Sequence, residues 1–279
     1  MIIVRTVAEM QGLSRRWRRE GKRVGFVPTM GFLHDGHLSL VRLARDESDV
    51  SAVSIFVNPT QFGPSEDLAQ YPRDFLRDEA LCRGEGVDCV FYPAPEEMYA
   101  SDFSTWVEEG VLSKPLCGQA RPTHFRGVTT VVTKLFNAVL PDVAVFGRKD
   151  AQQALVIERM VRDLNVPVRI IVGDIIRESD GLAMSSRNKY LSVDERQRAL
   201  SIRAGLLAAS RLYDGGEKTA EVLRLAVLGS IEEQGGKVDY VELVSRAQLA
   251  ALPQVSEPAV IAVAAFFGKT RLIDNCYLG

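Results

Sequence analysis

The sequence predicts an α/β protein: a doubly wound parallel sheet with helices on both faces, followed by a smaller α+β unit. Two observations carry this. Through the first two-thirds of the chain, short apolar runs alternate with segments of helical spacing, the pattern of parallel strands joined by crossover helices. Beyond about Ile175 the pattern changes to two helix-period stretches and then long apolar runs. A boundary there divides the chain into residues 1–175 and 176–279. The 279 residues, 46% of them apolar, suffice for a sizeable core in one large domain or two modest ones.

Taken in order, the first apolar residues of "MIIVRTVAEMQ" read as a short strand. "RVGFVPT" (23–29), "VSAVSIFVN" (50–58), "DCVFYP" (88–93), "DVAVFG" (142–147) and "VPVRIIVG" (166–173) read as buried strands. Between them, 37–47, 65–85, 127–139 and 150–164 carry helical spacing, the last through Leu155, Val156, Arg159, Met160 and Leu164. "SVDE" at 192–195 has the form of a capping box and opens a long helix to about Tyr213. A Gly-Gly turn leads to a second helix near 217–234, and "KVDYVELV" and "AVIAVAAFFGKTRLIDNCYL" read as the strands of the smaller unit.

Charge and composition exclude several classes of partner. A net charge of −2 and a pI near 6.0 give no global field toward nucleic acid or an anionic membrane. The one basic run, "RRWRREGKR" (15–23), contains Glu20 and reads as a solvated helix face. No apolar run approaches the ~20 residues of a membrane span, and the first residues lack the layout of a signal peptide. Cys82, Cys89, Cys117 and Cys276 form no C-x-x-C pair, so reduced thiols in a cytoplasmic protein are expected.

The chemistry gathers where strands end, which in open parallel sheets is where ligands bind. Of only three histidines, His34 and His37 stand in "PTMGFLHDGH" (28–37) and His124 in "RPTHFRG". A helix beginning near His37 would offer N–H groups and positive partial charge to a phosphate, with both imidazoles as further donors. In "SIFVNPTQFGPSEDLAQYPRD" (54–74), Asn58 and Gln61 could aim two neutral amides at an anionic or hydroxylated substrate. In "VFGRKDAQQALVIERM" (145–160), Lys149 and Asp150 precede a helix, another phosphate-facing position. In "RESDGLAMSSRNKYLS" (177–192), two serines and Arg187 supply donors suited to polyphosphate. Plainer readings stand beside these: surface histidines, ordinary turn chemistry at Asn-Pro, an N-cap at Asp150, and a simple serine-rich loop.

With these four segments in order, the chain resembles the pantothenate synthetase (pantoate–β-alanine ligase) family of the HIGH-motif nucleotidyltransferase superfamily. The resemblance spans 23–192 nearly without interruption and includes "LCGQARPTHFRGVTTVVTKLF" (116–136). It implies a Rossmann-like sheet and ATP-dependent amide formation. Pantoate would be activated as pantoyl adenylate with release of pyrophosphate, and β-alanine would then displace AMP to give pantothenate. It further implies that Met30, Gly31, Phe32, Leu33, His34, Asp35, Gly36 and His37 line the ATP site, with His37 as proton donor. Gly147, Arg148, Lys149, Asp150, Ile176, Met184, Ser185, Ser186 and Arg187 would complete that site, Lys149 and Arg187 meeting phosphate charge. Gln61 and Gln153 would hold pantoate, with Asn58 nearby. Mg²⁺ would bridge phosphate oxygens, and a homodimer is implied.

Two positions depart from the family pattern. Arg148 stands where Glu or Gln is usual, so its guanidinium either adds charge beside the phosphates or turns to solvent. The acidic pair expected after "YPR" reads Arg77-Asp78, leaving Asp78 alone as a metal-side carboxylate. Two other readings compete: a HIGH-type adenylyltransferase acting on a phosphate acceptor, and a non-catalytic nucleotide-binding protein.

Overall fold

The computed structural model describes residues 1–64 and 66–279 as two compact units, one of Met1–Arg148 with Gln153–Asp174, the other of Lys149–Gln152 with Ile175–Gly279. The first unit is built on β1 (Ile2–Val4), α1 (Val7–Arg19), β2 (Val24–Thr29), α2 (Asp35–Asp46), β3 (Val50–Ile55), α3 (Phe75–Gly84) and β4 (Cys89–Phe91). Two four-residue helices, α4 (Pro95–Met98) and α5 (Cys117–Ala120), precede α6 (His124–Val139), β5 (Val143–Gly147), α7 (Ala151–Asp163) and β6 (Arg169–Gly173). All six strands are parallel, in the order β1-β4-β3-β2-β5-β6.

Adjacent residues of a strand point to opposite faces, and both faces of this sheet are covered. Val27 of β2 lies in one cluster with Leu40, Val41 and Ala44 of α2. Its neighbour Phe26 meets Phe136 of α6 edge-on at 6.4 Å. Strands covered on both sides read as continuous apolar runs, which is why their positions were plain in the sequence. In α1 the basic stretch behaves as expected of a helix face: Trp17 is buried while Arg15, Arg16, Arg18 and Arg19 are exposed.

The helix expected over 65–85 is shorter. Ser65 lies outside the described residues, and α3 begins only at Phe75. Arg73 donates to the carbonyls of Leu68 and Tyr71, holding the approach as turns. The Asp74 carboxylate then accepts the Arg77 N–H and caps the helix.

The second unit contains α8 (Val193–Asp214), α9 (Ala220–Glu233) and an antiparallel sheet of β7 (Lys237–Ser245), β8 (Ala259–Phe267) and β9 (Thr270–Leu278), with β8 central. Ser192 and Glu195 exchange the two bonds of the expected capping box. Ile202 and Leu206 of α8 pack with Leu223, Val227 and Ile231 of α9 and with Val263 and Phe267 of β8. All four cysteines are free. Burial pushes the thiols of Cys82, Cys89 and Cys276 up to about 12, so they remain protonated packing groups. No helix among the described residues is long and apolar enough to cross a membrane.

Candidate active site

Strand order reverses between β2 and β5, neighbours in the sheet whose next strands in sequence lie on opposite sides. Such a switch point opens a crevice at the carboxyl ends of the two strands. The loop leaving β2 there is tightly tied. The Thr29 hydroxyl donates to the Ser54 carbonyl at 2.7 Å and accepts the Gly31 N–H at 3.1 Å. Gly31 and Phe32 are both left-handed, at φ +82° and +50°. A left-handed phenylalanine costs about 1–3 kcal/mol, so something must hold it.

Asp78 of α3 does so. Its two carboxylate oxygens accept the N–H groups of Phe32 at 2.7 Å and Leu33 at 2.8 Å. Hydrogen bonds to a charged acceptor are worth about 1.5–3 kcal/mol each, enough to offset the strain. Arg77 adds two contacts: it donates to the Leu33 carbonyl at 2.8 Å and sits 5.0 Å over the Phe32 ring. Burial raises the Asp78 pKa above its ordinary value, and the two N–H groups and Arg77 counter this only in part. With both oxygens engaged and the side chain 1% exposed, Asp78 does not fit the metal-side role expected of it. Among the described residues no group of three or more His, Cys, Asp or Glu side chains is placed to hold a metal ion.

His34 follows as the residue before α2, and His37 lies in the first turn. Their rings lie 4.1 Å apart, tilted by 35°, and His37 Nδ1 accepts the His34 backbone N–H at 3.3 Å. A neutral ring that accepts at Nδ1 carries its proton on Nε2, so His37 presents a donor. Asp35 and Gly36 provide the first helical N–H groups, the ones an α-helix cannot satisfy internally. The N–H groups of Gly31, Phe32, Leu33 and His34 are thus all taken by side chains of the protein.

After β3, Asn58 is 1% exposed and its amide is committed inside the protein. Its oxygen accepts from the Thr60 hydroxyl at 2.9 Å and the Tyr99 hydroxyl at 2.8 Å, and its nitrogen donates to Gln61 Oε1 and the Gly127 carbonyl, both at 3.1 Å. Gln61 Nε2 in turn reaches Met30 Sδ at 3.1 Å. The structure therefore joins Met30, Asn58 and Gln61, with Asn58 orienting Gln61. Gly127 allows this: a Cβ there would stand 2.4 Å from the Thr60 carbonyl oxygen. His124 Nδ1 lies 2.9 Å from the Gln61 carbonyl, which Arg121 also contacts while pairing with Glu66. Burial works to raise the Glu66 pKa, but the Arg121 hydrogen bond and charge outweigh it and the net shift is downward.

At the end of β5, Arg148 pairs with Asp174 at 2.7 Å, which gives the unusual arginine a partner at the end of the neighbouring strand. Gln153 is half-buried in the first turn of α7.

In the second unit, Lys149 Nζ lies 3.0 Å from Asp150 Oδ2, and the Lys149 carbonyl accepts from Asn275 Nδ2 of β9 at 3.0 Å. Ile176 and Met184 are joined, the Met184 N–H donating to the Ile176 carbonyl at 3.0 Å. Ser185 caps the short 3₁₀ helix Ser186–Tyr190 by accepting the Arg187 N–H at 3.2 Å. Arg177, at the base of this turn, makes a two-pronged pair with Asp274 of β9 at 2.7 and 3.0 Å. Sequence reasoning gave no role to Tyr99 and Gly127, which hold Asn58, to Asn275, which holds the Lys149 carbonyl, or to Asp274, which pairs with Arg177, and it named Arg77 without its hold on Leu33.

The family model described as pantoate-beta-alanine ligase matches residues 2–277. The chain is 56% identical over 280 residues to the pantothenate synthetase of Thermotoga petrophila, covering all of both chains. It is 53% identical over 279 residues to pantothenate synthetase 1 of Bradyrhizobium diazoefficiens, covering 100% of this chain and 98% of that one. Among solved structures it is similar to pantothenate synthetase from Thermus thermophilus, with a TM-score of 0.94, 45% identity and 99% of each chain covered. It is also similar to the pantoate-beta-alanine ligase of Francisella tularensis, solved in complex with beta-gamma ATP and beta-alanine, with a TM-score of 0.84, 33% identity and 99% and 97% covered. With two adjacent histidine rings at the switch point of a six-stranded parallel sheet and a family match along nearly its whole length, the chain belongs to the pantoate–β-alanine ligase family.

Proposed function

We infer that the chain catalyses the ATP-dependent condensation of (R)-pantoate with β-alanine to pantothenate, in two steps through pantoyl adenylate. A pantoate carboxylate oxygen attacks the α-phosphorus and the bond to the β-phosphate breaks, releasing pyrophosphate. The β-alanine amine then attacks the acyl carbon, the carbon–oxygen bond breaks, the amine gives up a proton, and AMP leaves. The carboxylate needs this activation because its oxygen is otherwise a poor leaving group. The protein's part is to position the reactants and stabilise charge.

The observation that carries the reading is the His34–His37 pair at the head of α2, where the strand order reverses. In this reading His37 Nε2–H and the N–H groups of Asp35 and Gly36 meet phosphate oxygens, and Met30–Leu33 line the nucleotide. Lys149 and Arg187 add positive charge, with Gly147, Arg148, Asp150, Ile176, Met184, Ser185 and Ser186 completing the nucleotide site. Gln61 and Gln153 hold pantoate, and Asn58 serves by fixing the Gln61 amide. Mg²⁺, which the resemblance implies, would travel with the triphosphate, held by its oxygens and water. The residues around Asp78 do not fit a direct ligand set, and no step is assigned to the ion. A homodimer in the cytoplasm belongs to the same reading; exposed Trp106 and Val111 offer apolar surface for it, and light scattering on the purified protein measures it.

One assay tests the mechanism: ATP–pyrophosphate exchange with and without pantoate, followed by β-alanine. Exchange that requires pantoate, then AMP and pantothenate in equal amounts, is the expected result. Exchange indifferent to pantoate would indicate transfer to another acceptor, and absence of all turnover would leave nucleotide binding alone.

A further inference from the structure

We propose that Asp78 is a positioning residue: it acts as a built-in anion that holds the β2–α2 loop in the conformation placing His34 and His37 at the head of α2.

The argument rests on geometry within the first unit. Successive backbone N–H groups in a turn with left-handed residues form a concavity suited to an anion. The loop has that form at Gly31–Leu33, and its occupant is the protein's own carboxylate, with one oxygen on each N–H. Asp78 Oδ2 also lies 3.0 Å from where a Cβ on Gly31 would stand, so the carboxylate closes directly against the loop. Arg77 grips the same residues through the Leu33 carbonyl and the Phe32 ring. The His34 N–H bond to His37 begins one residue later. Loss of the clamp would therefore release Phe32 from its left-handed state and displace the histidine pair. A carboxylate committed in this way works on the substrate only through the loop.

The proposal deepens the adenylation reading, and its test includes an arm that does not depend on that reading. Amide hydrogen exchange on the unliganded protein should show the Phe32 and Leu33 N–H groups exchanging at least tenfold faster in Asp78→Asn, whose amide can accept only one of the two bonds. Asp78→Asn should also lower the rate of pantoate-dependent exchange by about 10²-fold, as expected for a displacement near 1 Å. The concentration of Mg²⁺ giving half-maximal rate should stay within twofold.

The decisive variant is Phe32→Gly in the Asp78→Asn background, because glycine adopts the left-handed conformation without strain. The double-mutant cycle should show at least tenfold recovery relative to the sum of the single effects. Exchange protection unchanged in Asp78→Asn would overturn the proposal. So would a raised Mg²⁺ requirement that Phe32→Gly does not relieve, which would identify a metal ligand. If Asp78→Asn fails to fold, Arg77→Ala loosens the same loop from its exposed side and should give a smaller acceleration of Phe32 and Leu33 exchange; no acceleration would count against the clamp. A wild-type chain without pantoate-dependent exchange would remove the adenylation reading and leave the exchange-protection result to decide the clamp.

Discussion

Replacing Gly127 by alanine tests how the Asn58–Gln61 turn is positioned. The added methyl carbon would stand 2.4 Å from the Thr60 carbonyl oxygen, 2.6 Å from its carbon and 2.7 Å from the Gln61 nitrogen, all backbone atoms that no rotamer change can move aside. Ordinary contact begins at 3.4 Å, so the turn must separate from α6 by about 1 Å, a misplacement that can cost on the order of 10²-fold in rate. The Asn58 bond to the Gly127 carbonyl would stretch in the same movement, carrying Gln61 with it. Overpacking of this kind also destabilises by about 1–3 kcal/mol, a loss of several degrees in melting temperature. The assay is pantoate-dependent ATP–pyrophosphate exchange across a pantoate titration, in which the pantoate KM should rise and the maximal rate fall. Gly12→Ala is the control: nothing lies within 4 Å of its added carbon, and in mid-helix it should gain up to about 1 kcal/mol with unchanged kinetics. A Gly127→Ala protein with wild-type KM and rate would refute the assignment of Gln61 to pantoate or its dependence on this turn.

Three further outcomes follow from the same geometry. His37→Ala and Lys149→Ala should each lower adenylation by on the order of 10²–10³-fold, as loss of a preorganised donor typically does; normal exchange with amide formation alone lost would show the roles misassigned. Asn58→Ala removes the acceptor shared by the Thr60 and Tyr99 hydroxyls and the side-chain donor to the Gly127 carbonyl and should cost about 1–3 kcal/mol, measured by urea unfolding; a shift under ~0.5 kcal/mol would contradict the buried network. Glu66 has a lowered pKa, so its contribution is present above the ordinary value of 4.5 and is lost as pH falls through the lower folded value. Glu66→Gln should therefore lower the urea midpoint at pH 7 and have less effect near pH 3, whereas an equal effect at both would exclude the linkage.

What the sequence disclosed depended on whether the determining contacts were local. β2, β3 and β5 were visible because each strand is apolar on both faces, and the Ser192–Glu195 capping box because its partners are three residues apart. The start of α3 is not legible in the sequence: Arg73 uses its guanidinium on backbone carbonyls, a choice no periodicity records. The histidine pair was legible as a loop between glycines, but its clamp was not, because Asp78 lies 45 residues from Leu33. Asn58 drew attention as an amide near the substrate; its partners Tyr99 and Gly127, 41 and 69 residues away, give it a supporting task. For Arg148 the sequence leaves two orientations open, and the structure adds a partner that it did not suggest, Asp174 at the end of the neighbouring strand.

The hydrogen bond from Asn275 to the Lys149 carbonyl spans 126 residues, and the nearby Arg177–Asp274 pair spans 97. During synthesis at about 5–20 residues per second, roughly 6–25 s separate the emergence of Lys149 from that of its partner. A nascent chain can thus assemble its parallel sheet while the lysine backbone and the turn carrying Met184–Arg187 still lack their β9 anchors. Ribosome-bound intermediates would then possess the large core before the Lys149 backbone and the Met184–Arg187 turn of the smaller unit are tied down by β9.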